Sequence, residues 1–338
     1  MAVTVKIQDK SKKQKPKAEK NLPPPAALAD YALKELRGEG IKMLLLWMLF
    51  MFIGSAFVFE PLTEGIGIGI FLWWIAATIG YFLIGPRIVQ NRLRQHGSEF
   101  RITAAKHGRI ANLLAKASPM IGVGEPEAYL VEGEVPQVRI SGSSKPYFMV
   151  ISKATLETLQ PPEIDCLILR CLIHARIGTV RRLTIMQFLG DTPPAARALA
   201  WPIQLFSWLL RMNWQEYAEE SADRLTLLLI KNPSLMMGAL LKMFAATDPK
   251  LMEYEVTNED VDSYVKQSGY IGMEGNEIST QFKLGSAIQE NPYLEARLKG
   301  LTSWAKSAEY KAALEKLAEA RTTAPAVPLD PLAGAPGK

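Results

Sequence analysis

Apolar residues form two long unbroken runs early in the chain and helix-spaced stripes after them. Residues 43–59 are 17 positions without a charge and residues 65–84 are 20, so each is long enough to cross a hydrocarbon core about 30 Å thick. The segment Glu60-Pro61-Leu62-Thr63-Glu64 separates them and predicts a helical hairpin. From 87 to 116 the apolar spacing predicts a helix, broken over 118–124. Short strands are predicted at 127–132 and 147–152, with Pro136 and Ser141-Gly142-Ser143-Ser144 marking turns. Pro161-Pro162 then opens a helix in which Ile164, Leu167, Ile168, Cys171, Leu172 and Ala175 recur on one face, with His174 at its margin. Residues 201–210 are apolar but too short to span, and read as a buried or interfacial helix. Further helices are predicted at 214–230, 231–244, 292–305 and 308–320, with a polar, irregular stretch over 248–279.

Charge orients this pattern. Through Lys42 there are ten Lys or Arg against five Asp or Glu, an excess equal to the net charge of +5 carried by the whole 338-residue chain. Arg87, Arg92, Arg94 and Arg101 follow the second apolar run, while the loop between the runs carries only acids. Basic residues at the outer ends of a hairpin place both termini and the main domain on the cytoplasmic side of an inner or plasma-type membrane, as a multi-pass protein. The basic arm argues for contact with anionic lipid and against nucleic acid, and a solvated, disordered arm is the plainer reading. An apolar run that begins only after about 40 residues, with a second close behind, is not a secretory signal.

Hydrophobic residues make up 48% of the chain, enough for one sizeable domain plus membrane segments. The expected division is a disordered basic arm with a short interfacial helix over 1–40, a hairpin over 41–86, a cytoplasmic domain over 87–320 and a proline-rich tail over 321–338. Gly65-Ile66-Gly67-Ile68-Gly69 opens an apolar span and does not follow a soluble strand, so it reads as small-residue helix packing and not as a nucleotide loop. The two cysteines, Cys166 and Cys171, sit five apart on different helix faces and read as buried thiols.

Candidate chemistry centres on the helix after Pro161-Pro162. His174 stands first in the segment His174-Ala175-Arg176-Ile177-Gly178, where a His-Glu-x-x-His motif would put a glutamate at 175 and a second histidine at 178. Downstream, Glu219-Glu220-Ser221-Ala222-Asp223 carries a Glu-x-x-x-Asp spacing that puts two carboxylates on one helix face. Near the end come Asn291-Pro292-Tyr293-Leu294-Glu295-Ala296-Arg297, then Leu301, Trp304, Ser307 and Tyr310. Upstream lie Tyr147-Phe148-Met149-Val150-Ile151-Ser152 and Ala154-Thr155-Leu156. In this order the segments, over about residues 30 to 315, resemble the HtpX-like membrane zinc metallopeptidases, with the closing segment opening on Asn291 where the family has histidine.

The resemblance implies a mostly α (α+β) fold, a transmembrane helical hairpin plus a zincin-like helical domain with a small β-sheet. It carries His174 and Glu219 over as metal-ligand positions and Asp223 as a supporting group. The departures fall on the chemistry. Ala175 replaces the general base, Gly178 replaces the second imidazole and Asn291 replaces the closing histidine. Positioned acid–base catalysis alone contributes about 10² to 10⁴ in rate, so the usual hydrolysis is not expected. Arg176, if it faced inward, would oppose a metal, and Glu220, one step round the helix from Glu219, points elsewhere. Beside this stand plainer readings, His174 as a core histidine and Glu219 and Asp223 as a solvated acidic face, while for His96 and His107, in the earlier basic helix, the sequence leaves open whether either reaches the site.

The resulting expectation is a catalytically silent, membrane-anchored metallopeptidase-like protein. It would bind no cofactor and serve as a scaffold or regulatory subunit for a membrane-protein partner. One alternative is an active zinc endopeptidase with a non-standard ligand set, and another is a structural subunit of a membrane complex.

Overall fold

The computed structural model describes residues 100–142, 144–190, 201–247 and 292–322, and before them the isolated positions 32, 69, 72, 73, 75, 76, 87 and 91. Among the described residues the elements run α1 (Gly108–Ile121), β1 (Glu127–Val131), β2 (Val138–Ser141), β3 (Phe148–Ser152), α2 (Lys153–Thr158), α3 (Pro161–Arg176), α4 (Val180–Gly190), α5 (Trp201–Ile230), α6 (Pro233–Ala245), α7 (Pro292–Lys306) and α8 (Ala308–Thr322). The sheet order is β1-β3-β2, with β1 parallel to β3 and β2 antiparallel to it. The fold is thus mostly helical with one small sheet, as the α+β pattern predicts.

The helix α3 is the axis of the domain. Every residue from Glu163 to Ala175 is buried, because α1, α5, α6 and β2 all pack on it. A helix enclosed on all sides needs either an apolar surface or partners for each polar group. At its N-terminal end those partners are ionic. The Glu163 carboxylate accepts the Gln160 backbone N–H at 2.8 Å and pairs with Lys242 of α6 at 2.8 Å. Asp165 meets Arg109 of α1 at 2.5 Å, and the same guanidinium donates to Pro161 O at 3.1 Å. Carboxylates in the first turn also complement the helix dipole.

Several elements differ from the sequence pattern, each for a local reason. The helix expected over 87–116 is not continuous: Arg87 and Asn91 are helical, residues 100–107 are not, and helix resumes at Gly108. Before it, Arg101 bridges Tyr129 and the Ile102 N–H bonds Ala128 O at 2.8 Å, so these backbone groups border β1 instead of closing helical turns. Its end runs on to Ile121, past Pro119, until Gly122 turns left-handed at φ 77°. The strand β2 was hidden between two turn signals, four residues that pair with β3 from Val138↔Ile151 to Ser141↔Phe148. The helix α4 carried no clear stripe. The predicted helices at 201–210 and 214–230 are one helix of 30 residues, since no glycine or proline interrupts 203–230.

The expected transmembrane hairpin is corrected. Among the described residues no helix is long and apolar enough to cross a membrane. The longest, α5, carries Arg211, Glu216, Glu219, Glu220, Asp223 and Arg224 along its length. Run length reports hydrophobicity alone and does not make a span. Most of 41–86, the segment 248–279 and the two terminal segments lie outside the described residues.

Candidate functional site

The candidate residues of α3 and α5 meet where the two helices cross. On α3, Arg170 and His174 are one turn apart on one face; on α5, Glu219 and Asp223 are likewise one turn apart. The helix α7 closes the third side with Arg297. All five are withdrawn from solvent: His174 is 3% exposed, Arg170 7%, Asp223 1% and Arg297 6%, with the Glu219 side chain at 13%.

Arginine fills the centre of this crossing. The Arg170 guanidinium forms an ion pair with Glu219 through Nη2, and its Nε donates to Asp223 Oδ1 at 2.7 Å. Arg297 binds the same aspartate with both sides of its fork, Nε to Oδ2 at 2.9 Å and Nη2 to Oδ1 at 2.9 Å and to Oδ2 at 2.7 Å. It also lies 3.7 Å from Glu219 Oε2. Two guanidinium ions and two carboxylates therefore balance inside the domain, which a low-dielectric interior requires. Phe244 and Tyr293 cover Arg297, their ring centroids 5.7 and 5.6 Å from its guanidinium carbon. Burial lowers the pKa of Arg297, but the Asp223 carboxylate and Tyr293 more than reverse this and hold it above its ordinary value.

His174 is oriented by the end of its own helix. The helix stops at Arg176, and Gly178 adopts φ +77°, so the Thr179 N–H returns to His174 O at 3.1 Å in the six-to-one bond of a Schellman ending. The Thr179 hydroxyl donates to the same oxygen at 3.1 Å and lies 2.9 Å from His174 Nδ1. The other ring nitrogen, Nε2, lies 4.0 Å from Glu219 Oε1.

Burial, then the charges of Arg170 and Arg297, hold the His174 pKa well below its ordinary value of 6.5. The ring is neutral in the folded protein and takes up a proton near 6.5 once unfolded. Acid therefore favours the unfolded state: stability should fall as pH drops below about 6.5, by at most about 1.4 kcal/mol per pH unit. The groups facing the ring are Arg170 and Thr179 on its own side, Glu219 and Asp223 from α5 and Arg297 from α7. Chemical denaturation between pH 7.5 and about 5 checks this, with His174→Gln expected to flatten the slope.

A peptidase zinc centre takes three protein ligands and keeps a fourth position open for water. The residues present do not fit it. Glu219 is paired with Arg170, Asp223 is held by two guanidinium groups, and position 178 is a left-handed glycine past the end of the helix. Among the described residues no group of three or more His, Cys, Asp and Glu side chains is placed to hold a metal ion. Ala175, at the base position, is buried with the core. Asn291 and His96 lie outside the described residues. His107 precedes α1 in a left-handed conformation, φ 61°. Its near neighbour Arg109 reaches Asp165, which is nine residues and so about 13 Å before His174 along α3.

The structure brings His174, Glu219 and Asp223 to one crossing through Arg170, and pairs Glu220 with Arg224 at 2.6 Å. Sequence reasoning fixed on Arg176 and missed Arg170 and Arg297. The available signal was Arg170 itself, one charge inside Leu167-Ile168-Leu169-Arg170-Cys171-Leu172-Ile173, where burial demands a carboxylate. The cysteines face different neighbours, Cys166 Sγ toward Met236 Sδ at 3.1 Å and Cys171 Sγ toward Val138 O at 3.6 Å. Burial raises both thiol pKa values, that of Cys171 to about 12, so neither supplies a thiolate.

Over 245 residues the chain is 23% identical to plastoglobule-localized metallopeptidase 48, chloroplastic, of Arabidopsis thaliana, covering 70% of this chain and 69% of that protein. This similarity supports a distant metallopeptidase-like relationship. No family model and no solved structure matches the chain. The localisation expected from charge, a multi-pass protein of an inner or plasma-type membrane with cytoplasmic termini, is corrected as well. The relative is named for plastoglobules, and no described helix crosses a membrane. Flanking charge orients a span only where a span exists.

Proposed function

We propose that this protein is a degenerate HtpX-like metallopeptidase that no longer hydrolyses peptides and works by binding, as a scaffold or regulatory subunit. The observation that carries this reading is the Arg170 guanidinium, ion-paired to Glu219 and Asp223 in the place where chemistry would occur. No base stands at Ala175, and the two carboxylates described at the crossing, Glu219 and Asp223, are already neutralised. The distant metallopeptidase relative supports the ancestry. Its partner is a protein at a lipid surface, with the ten basic residues before position 43 meeting anionic headgroups. The zinc-endopeptidase alternative is not favoured, because it would need Glu219 released from Arg170 and ligands from elsewhere.

A peptidase assay on the purified full chain tests the reading. With an unstructured protein substrate, turnover should stay at background with added zinc, with a chelator, and in His174→Ala and Glu219→Ala alike. Chelator-sensitive turnover lost in both variants would overturn it.

A further inference from the structure

We infer that the crossing of His174, Glu219 and Asp223 takes no divalent cation because the chain's own cation, the Arg170 guanidinium, already holds both carboxylates. The inference rests on the silent-peptidase reading and deepens it, assigning what took the place of the metal and why the site did not collapse to an apolar core.

The geometry carries the argument. His174 Nε2 lies 4.0 Å from Glu219 Oε1 inside the domain, with Nδ1 held 2.9 Å from Thr179 Oγ1. A buried carboxylate beside a neutral ring is stable only next to a positive charge. That charge comes from Arg170, one helical turn before His174 on the same face and ion-paired with the same Glu219. A histidine whose second nitrogen is fixed by a hydroxyl is also oriented as a metal ligand is oriented. The imidazole and carboxylate of a metal centre are kept, and an internal guanidinium supplies the charge that would otherwise be bound from solution.

The inference makes position 170 decisive. Arg170→His puts two imidazoles one turn apart on α3 opposite a Glu219 freed of Arg170 and left with Arg297 at 3.7 Å, a set of two nitrogens and a carboxylate that suits zinc. Arg170→Ala simply vacates the seat beside His174 and Glu219. Zinc content and thermal unfolding of the full chain, without a histidine tag, read the outcome. The natural protein should hold zinc at background and keep its Tm in excess zinc or chelator. Arg170→His should hold about one zinc per chain, with Tm raised by about 5–10 °C at a hundredfold excess over Kd, and lose both when His174→Ala is added. Folding of Arg170→His only when zinc is present would equally support the inference. Arg170→Ala should show a smaller upward shift in Tm with zinc.

A folded Arg170→His variant that takes up no zinc overturns the inference, as does a folded Arg170→Ala variant whose Tm ignores zinc. With a zinc-free, inactive natural protein, either result leaves the silent-peptidase reading standing. Stoichiometric zinc in the natural protein overturns both.

Discussion

Replacing Asp223 with alanine should lower the stability of the protein by about 3–5 kcal/mol and its Tm by roughly 6–20 °C, more than any other single change at the helix crossing. The aspartate is 1% exposed and binds both guanidinium ions by hydrogen bonds, accepting from Arg170 Nε and from the Arg297 fork. Its removal leaves two buried cations sharing Glu219 alone, and an uncompensated charge inside a domain costs more than the pair ever contributed. Asp223→Asn should recover little, since an amide keeps the shape but not the charge. The neighbouring pair Glu220 and Arg224 is the control. Their side chains are 30% and 23% exposed, so Glu220→Ala should cost less than about 1 kcal/mol. Equilibrium denaturation of the three variants measures the contrast. Equal losses at 220 and 223 would show that the crossing is not organised around the aspartate.

Rewriting the peptidase motif should fail. The double variant Ala175→Glu and Gly178→His spells His-Glu-x-x-His, yet it is expected to show no turnover and to be less stable than the natural protein by about 3 kcal/mol or more. Gly178 has φ +77°, which an L side chain adopts only with strain, and the helix has already ended at Arg176. A histidine there does not stand one turn above His174 on the same face. Relaxing it would also break the return of Thr179 to His174 O, the contact that fixes the imidazole. A glutamate at 175 enters a position that is 8% exposed, and Arg170, the buried cation of the same helix, is already committed. Peptidase turnover and denaturant midpoints of the double variant test this together. Metal-dependent turnover would mean that the motif was silenced by two substitutions alone and that the guanidinium yields readily.

Much of this was readable from spacing. The stripe from Ile164 to Ala175 placed α3 in the core, and the four-residue spacing of Glu219 and Asp223 put both carboxylates on one helix face without saying which way that face turns. The paired prolines marked the start of α3, and the last two helices begin where their patterns begin. What escaped was tertiary. Nothing local says that Arg297, 74 residues beyond Asp223, returns to grip it. Arg170 looked like one charge in an apolar run, because its meaning depends on carboxylates 49 and 53 residues away. The hairpin failed for the opposite reason, since an uncharged run satisfies a length criterion without stating what surrounds it.

The same logic explains why the missing metal groups were legible while their replacement was not. A lost histidine or glutamate shows as a departure at a known spacing, as at Ala175 and Gly178. A gained counter-ion sits at no motif position. It is found by asking which buried charges still lack partners once the carboxylates are placed.

The central claim, that the chain's own arginine holds the place of a metal, is tested most directly by elemental mass spectrometry of the natural full-length protein, extracted without chelators and without a histidine tag. The account predicts zinc near background in a sample that is folded by circular dichroism. About one zinc per chain, lost on His174→Ala, would contradict it.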